Sequence, residues 1–172
     1  ALILIDIQAK IISPIINKEL IIKNIKKLLD AYQILDKNIF VSEQSPLKLG
    51  KTIPALVPKV DFKRIKKVEF SLGNNQEMLE ELGRKNVNNL IICGLETHIC
   101  IQQSVIELMH KGYEVFVISD AMGSRNKLDH DIALQRMLSQ GAIITTTESI
   151  IFELCKTSDR KEFKEISNII KN

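Results

Sequence analysis

Cys100, Asp6 and the basic run Lys63-Arg64-Ile65-Lys66-Lys67 are the residues whose types suit covalent chemistry. A thiolate attacks a carbonyl carbon, and a nearby carboxylate takes up and returns the proton. Cys100 follows the strand-like run 90–93 and a turn containing Gly94, and falls in the first turn of the next predicted helix. Backbone N–H groups and the helix dipole there favour a thiolate, so an acidified thiol is expected. The same N–H groups suit the oxyanion of an acyl transfer. The competing reading is a small buried hydrophobe, the common fate of a free cysteine. Asp6 ends an apolar strand, where a carboxylate must be paired or solvated in a cleft. It reads either as a structural cap or as a general base. The basic run reads first as a solvated face. One of its lysines has a route into a cleft, because Lys67 directly precedes Val68-Glu69-Phe70, but spacing does not choose among them. Cys93 lies inside a strand run and Cys155 on an apolar helix, so both read as structural.

Other chemistries find no support. Gly50-Lys51-Thr52 resembles the end of a phosphate-binding loop, but Ser45 stands where that motif needs glycine. There is no GxGxxG. His98, His110 and His130 have no HxH or HExxH spacing, so a histidine-based metal site is not expected. His98 reads as a surface or cap residue, with cleft lining the alternative, and His110 and His130 read as exposed.

The elements that must position these residues alternate regularly. Strands are predicted at 1–5, 39–42, 89–93, 114–119 and 142–145, and helices at 18–35, 75–85, 97–111, 128–140, 149–156 and 160–170. Residues 45–59, with Pro46, Gly50, Pro54 and Pro58, read as a loop with at most a short helix. In the first helix, Ile21, Ile25, Leu28, Tyr32 and Leu35 recur at 4-3-4-3 spacing, an amphipathic period. The alternation implies an α/β fold with a parallel sheet covered by helices on both faces. Ligands of such sheets bind beyond the carboxyl ends of the strands. Asp6 and Cys100 both stand there.

Composition sets the outer limits. The 172 residues are 45% hydrophobic and 26% charged, with 24 basic and 21 acidic side chains and a net charge of +3. This suits one folded domain, residues 1–172, and rules out a disordered chain. No apolar run approaches the roughly 20 residues of a membrane span. The basic residues are interleaved with acidic ones, aromatics are 5% and tryptophan is absent, so no nucleic-acid surface is expected. Three cysteines without CxxC spacing give no disulfide framework, and a reducing, cytoplasmic setting is the expectation. The opening Ala1-Leu2-Ile3-Leu4-Ile5 reads as a first strand, not a signal peptide. Any organellar targeting segment upstream of Ala1 would lie outside this sequence.

An ordered set of motifs resembles the isochorismatase-like cysteine hydrolases. It comprises Asp6-Ile7-Gln8, Lys67-Val68-Glu69-Phe70-Ser71, the stretch from Cys93-Gly94-Leu95-Glu96 through Thr97-His98-Ile99-Cys100, and Ser119 through Arg125. Gly141-Ala142, Thr147-Glu148-Ser149 and the tail Phe163-Lys164-Glu165-Ile166 extend the likeness, the last toward the isochorismatase-domain-containing subgroup. The resemblance implies a three-layer α/β/α fold with a mostly parallel central sheet, and a triad of Asp6, Lys67 and Cys100. It further implies an oxyanion hole from the N–H groups of Glu96 and Cys100, a cis peptide at Leu95–Glu96, and homo-oligomerisation.

Two departures refine these implications. Nicotinamidases of the superfamily hold a metal through Asp-x-His after the second strand. Here that place reads Val41-Ser42-Glu43-Gln44-Ser45, so no metal and no cofactor are expected. Some true isochorismatases lack the cysteine, whereas Cys100 is present and favours acyl chemistry. Gln8, Glu43, Gln44 and Phe70 are candidates to line a substrate cleft, with loop hydrogen bonding the alternative for Glu43 and Gln44. The expected activity is hydrolysis of a small-molecule, non-peptide amide. The alternative is a catalytically idle, oligomeric scaffold or partner-binding protein of the same fold.

Overall fold

The computed structural model describes residues 1–171. One six-stranded, wholly parallel sheet runs in the order β3-β2-β1-β4-β5-β6. Its strands are β1 (Leu2–Ile5), β2 (Ile39–Gln44), β3 (Lys63–Lys67), β4 (Asn89–Leu95), β5 (Glu114–Gly123) and β6 (Ile143–Thr145). The helices are α1 (Ala9–Ile12), α2 (Lys18–Ile34), α3 (Pro46–Leu49), α4 (Gln76–Arg84), α5 (Gln102–His110), α6 (Lys127–Ser139), α7 (Thr147–Cys155) and α8 (Phe163–Lys171).

The strand period of two sorts each strand between two cores. Leu2 and Leu4 of β1 pack with Ile25, Leu28 and Tyr32 of α2, Ile150 and Ile151 of α7, and Ile166 of α8. Ile3 and Ile5 point the other way, among Met78 and Leu82 of α4, Val105 and Leu108 of α5, and Met137 of α6. Every residue of β1 is buried, which is why it reads as an unbroken apolar run rather than an alternation. The three-layer α/β/α architecture follows from those two apolar faces. Helix α4 is started by the Asn75 side chain, which accepts from the Met78 N–H at 2.9 Å.

Strand order reverses direction between β1 and β4, so the crevice beyond their carboxyl ends is the switch point where such sheets bind ligands. β4 crosses β1 at very close range there. Gly94 has φ +127°, and a Cβ at that position would lie 2.1 Å from the Ile5 carbonyl oxygen. The β4–β5 register shifts between Ile92 and Gly94 and resumes at Gly94–Met122 and Leu95–Gly123.

The structure departs from the predicted elements in several places: the short helix α1 was not predicted, and β2 and β4 each run two residues further than predicted. The basic run 63–67 is an edge strand, with Ile65 and Lys67 buried on one face and Lys66 exposed on the other. Strand β5 continues to Gly123 instead of stopping at 119. The predicted helix 97–111 opens with a π-helical turn, Thr97–Ile101, before α5.

Candidate active site

The carboxyl end of β1 hands the chain to Asp6, whose backbone takes a left-handed conformation (φ 51°). Its N–H still reaches the Ser42 carbonyl across β2 at 3.2 Å. The Asp6 side chain is fully buried and both its oxygens are engaged. Oδ1 accepts from the Ser42 hydroxyl at 2.6 Å, and Oδ2 accepts from Lys67 Nζ at 2.6 Å. Burying a carboxylate is costly without such partners.

Lys67 closes β3 beside Gln44, its register partner on β2. Its buried ammonium donates to Asp6 Oδ2 and to Gln44 Oε1 (2.7 Å), and lies 3.1 Å from the Phe70 and 3.3 Å from the Glu69 carbonyl oxygens. The loop after β3 thus folds back to cradle the end of its own lysine. This resolves which lysine of the run turns inward. Lys63 instead pairs with Glu77, and Arg64 with Glu43.

Cys100 lies in the π-helical turn, nearly buried, in the same core cluster as Ile5 and Ile65. Its thiol is close enough to the Asp6 carboxylate and the Lys67 ammonium for hydrogen bonding to each to act on its ionisation. The expected acidification does not hold in the resting protein. Burial and then the Asp6 charge push the thiol up to about 12, and Lys67 offsets only part of this. The Cys100 carbonyl accepts from Ser104 Oγ at 2.6 Å, and the same hydroxyl accepts from the Leu72 N–H at 2.9 Å. Burial also raises Cys93, while Cys155 is buried with its sulfur 3.7 Å from the Thr157 carbonyl, and both occupy core positions.

The Leu95–Glu96 peptide is cis. The Glu96 carbonyl accepts from the N–H groups of Ile99 (3.1 Å) and Ile101 (3.2 Å), closing the turn around Cys100.

The candidate lining residues separate. Gln8 is fully buried and spent on backbone. Its amide donates to the Gln44 carbonyl at 3.0 Å and to the Gly50 carbonyl, and its oxygen accepts from the Gln44 N–H at 2.7 Å. With both amide protons used, Gln8 brackets the loop after β2 and faces no cleft. Glu43 takes the loop role as well, its Oε1 accepting from Thr52 N–H and Oγ1 (both 2.9 Å) and from Arg64 (2.7 Å). Gln44 holds Lys67 with its oxygen and the Val68 carbonyl with its amide (2.7 Å). Phe70 alone of the four is exposed, at 54%. A cleft of about 1180 Å³ follows the open edge of β3, between Pro46, Leu47, Pro54 and Val68; Glu43 and Lys67 line it, whereas Asp6 and Cys100 do not.

Sequence reasoning did not single out Ser42, although its place two residues before Gln44 puts both on the Lys67 side of β2. It also placed His130 at the surface. His130 is in fact half-buried, Nδ1 lying 2.9 Å from Thr97 Oγ1, and burial holds it below the usual histidine range. His98 Nδ1 likewise meets Ser124 Oγ at 2.9 Å. No local pattern announces either pair, since the partners lie 33 and 26 residues apart. Among the described residues no three His, Cys, Asp or Glu side chains converge as a metal cage, and no helix is long and apolar enough to cross a membrane.

Known proteins share this fold. The fold matches a Caenorhabditis elegans structure described as MAR1 ribonuclease, with TM-score 0.94 and 35% identity over 99% of this chain and 88% of that one. It also matches the Escherichia coli YcaC product, described as an octameric hydrolase of unknown specificity, with TM-score 0.88, covering 99% of this chain and 91% of that one; at 21% identity this likeness is one of fold. In sequence, the isochorismatase family protein 1B of Dictyostelium discoideum is 37% identical, over 99% of this chain and 85% of its own length. Residues 1–149 match the isochorismatase domain itself. With that match over most of its length, and with near-complete coverage by a relative of this identity, the chain belongs to the isochorismatase-like hydrolase family.

Proposed function

We propose that this protein is a cysteine hydrolase acting on a small, non-peptide amide through a covalent thioester on Cys100. The observation that carries the reading is the convergence of one thiol on a buried carboxylate–ammonium pair, Asp6 and Lys67, at the switch point of the sheet.

In the resting protein the proton sits on sulfur, in keeping with the raised thiol. As Sγ attacks the substrate carbonyl, Asp6 takes the thiol proton, so no free thiolate accumulates. The carbonyl π electrons move to oxygen, and the N–H groups of Glu96 and Cys100 bind this oxyanion, the Ile99 and Ile101 N–H groups being occupied by the Glu96 carbonyl. Collapse breaks the carbon–nitrogen bond, and Asp6 returns its proton to the departing amine. Water then attacks the thioester with Asp6 again accepting a proton. The carboxylic acid leaves, and the proton returns to Cys100. Lys67 holds the Asp6 carboxylate in place and stabilises negative charge on either partner, an effect strengthened by exclusion of water. Glu43, which borders the cleft along β3, and the exposed Phe70, whose carbonyl lies beside Lys67, are the remaining candidates for substrate contact.

Two further parts belong to the reading. The three cysteines are free and buried, which fits a reducing, cytoplasmic setting. Self-assembly fits the exposed Leu128 and Ile132, one turn apart on α6, and the octamer described for the YcaC neighbour. Cleavage of RNA is not favoured, despite the name of the C. elegans neighbour, because basic and acidic residues are interleaved, aromatics are 5% and tryptophan is absent.

The test is to incubate the protein with a panel of small carboxamides, follow amine release, and look by mass spectrometry for an acyl group on the Cys100 peptide. Turnover with acylation at Cys100, both lost in Cys100→Ala, is the expected result. Absence of both across the panel, with a folded protein, would favour the idle scaffold.

A further inference from the structure

The β4–β5 ladder ends at the pair Leu95–Gly123, and beyond it side chains take over. The three consecutive residues after Leu95 are each tied to the start of the next layer. Glu96 accepts from Arg125, at 3.2 Å from its N–H and 3.1 Å from Nε. Thr97 Oγ1 meets His130 Nδ1, and His98 Nδ1 meets Ser124 Oγ, both at 2.9 Å. His98 Nε2 also lies 4.0 Å from Asp129 Oδ2. All these partners fall within residues 124–130, where β5 passes into α6.

Helix α5 has other anchors. Val105 and Leu108 are in the core, and Ser104 spans Cys100 and Leu72. Those contacts fix the helix but leave the rotation of the π turn to be set from outside. A π-helical turn is rare overall and frequent at functional sites. Here the Glu96 carbonyl accepts from the N–H groups of Ile99 and Ile101, and the Thr97 and Ile99 carbonyls accept from the Gln102 N–H. Thr97 is fully buried and Ser124 nearly so, so these are enclosed contacts and not solvent-exchanging surface pairs.

We infer that the junction between β5 and α6 is a clamp on the nucleophile turn, with His130 and Ser124 as positioning residues that hold Cys100 against Asp6. The inference rests on the cysteine-hydrolase reading above. His130 and Ser124 act through Thr97 and His98, and their loss lets the thiol swing away from the carboxylate. A displacement of about 1 Å at a reacting atom costs on the order of a hundredfold in rate.

The experiment follows Cys100 alkylation by iodoacetamide against pH, peptide by peptide, in wild type, Thr97→Val, Thr97→Ser, His130→Leu, His130→Asn and Ser124→Ala. Alongside it, turnover is measured on any carboxamide the wild type cleaves. A thiol that swings from the buried pair toward solvent loses the burial and the Asp6 charge that raise it, and titrates nearer the roughly 8.5 of a free cysteine. Thr97→Val, His130→Leu and Ser124→Ala are therefore expected to lower the Cys100 midpoint and reduce kcat by about ten- to a hundredfold, with Cys93 and Cys155 still protected. Thr97→Ser and His130→Asn, which keep a hydrogen-bonding group in place, are expected to retain the wild-type midpoint. A general loss of structure is recognised by exposure of all three cysteines, and Ser124→Ala, the smallest change, then decides the matter. Wild-type midpoint and kcat in a folded Ser124→Ala would overturn the clamp. A wild type with an ordinary Cys100 midpoint and no turnover would instead overturn the hydrolase reading beneath it.

Discussion

Lys67 Nζ stands 2.6 Å from Asp6 Oδ2, and both side chains are shut off from solvent. A buried ion pair of this kind is weak evidence for stability, because desolvating two charges offsets much of their attraction. Its remaining hydrogen bonds, from Ser42 to Asp6 and from Lys67 to Gln44, meet the needs of both ions. What the pair does supply is a fixed negative charge beside the Cys100 sulfur. That charge accounts for part of the upward displacement of the thiol, and from it the first prediction follows.

Replacing Asp6 by Asn is expected to make Cys100 more reactive toward iodoacetamide while abolishing turnover. The sign is set by the charges. Asp6 raises the thiol and Lys67 lowers it, so removing the carboxylate moves the midpoint down from about 12 and raises the thiolate fraction at any pH below it. Turnover falls because the proton acceptor is gone, a loss of about a hundred- to ten-thousandfold for general acid–base catalysis. Alkylation rate and amide hydrolysis, measured on the same preparation, must move in opposite directions. A parallel fall in both would remove Asp6 from its assigned place.

Breaking the pair from the other side gives a different outcome. Lys67→Met leaves the Asp6 carboxylate buried with only Ser42 as a side-chain partner, and is expected to destabilise by about 3–5 kcal/mol. The double variant Asp6→Asn with Lys67→Met removes both charges and is expected to recover much of that loss. Urea unfolding of the two singles and the double forms a cycle that measures the coupling. Additive losses would show that the two groups do not depend on each other in the fold.

Gln8 separates a binding role from a structural one. Gln8→Ala removes the bracket on Gln44 and Gly50, taking the partner from one backbone N–H (Gln44) and two carbonyls (Gln44 and Gly50). The expected cost is about 1–3 kcal/mol per buried group. Thermal unfolding should therefore shift downward, whereas a residue that only touched substrate would raise KM and leave the unfolding midpoint in place.

Much of the layout was legible in the sequence because it rests on apolar periodicity. The unbroken run of β1 and the 4-3-4-3 spacing of α2 follow directly from what each element buries. The β3 strand was not legible. Four of its five residues are basic, and its inward pair, Ile65 and Lys67, is seen only once the edge position is known. The charge run at 63–67 conceals a buried lysine because Lys67 is satisfied by groups 61 and 23 residues away. Asp6 and Cys100 stood out by following apolar strands. The thiol's direction of displacement did not, since helix position points one way and the Asp6 charge, a tertiary feature, the other. Gln8 and Glu43 were placed at the correct end of the sheet, but their hydrogen-bond partners depend on the path of loop 45–53, which no local pattern encodes.

The closest constraint on the switch point is backbone, not side chain, and it yields the last prediction. A methyl group at position 94 would meet the Ile5 carbonyl oxygen at 2.1 Å and the Ile5 nitrogen at 2.7 Å. No rotamer relieves this, because the clashing atoms belong to the β1 backbone. Gly94 also sits at φ +127°, a conformation that costs a side-chain-bearing residue of order 1–3 kcal/mol before any clash is counted. Gly94→Ala must therefore push β4 away from β1, and with it the path from Leu95 to Cys100. The expected result is severe loss of stability, read by urea unfolding, and exposure of Cys93 to alkylation, since that thiol is buried one residue earlier on the same strand. A folded Gly94→Ala protein with wild-type stability and a protected Cys93 would mean that β1 and β4 do not approach as closely as this geometry requires.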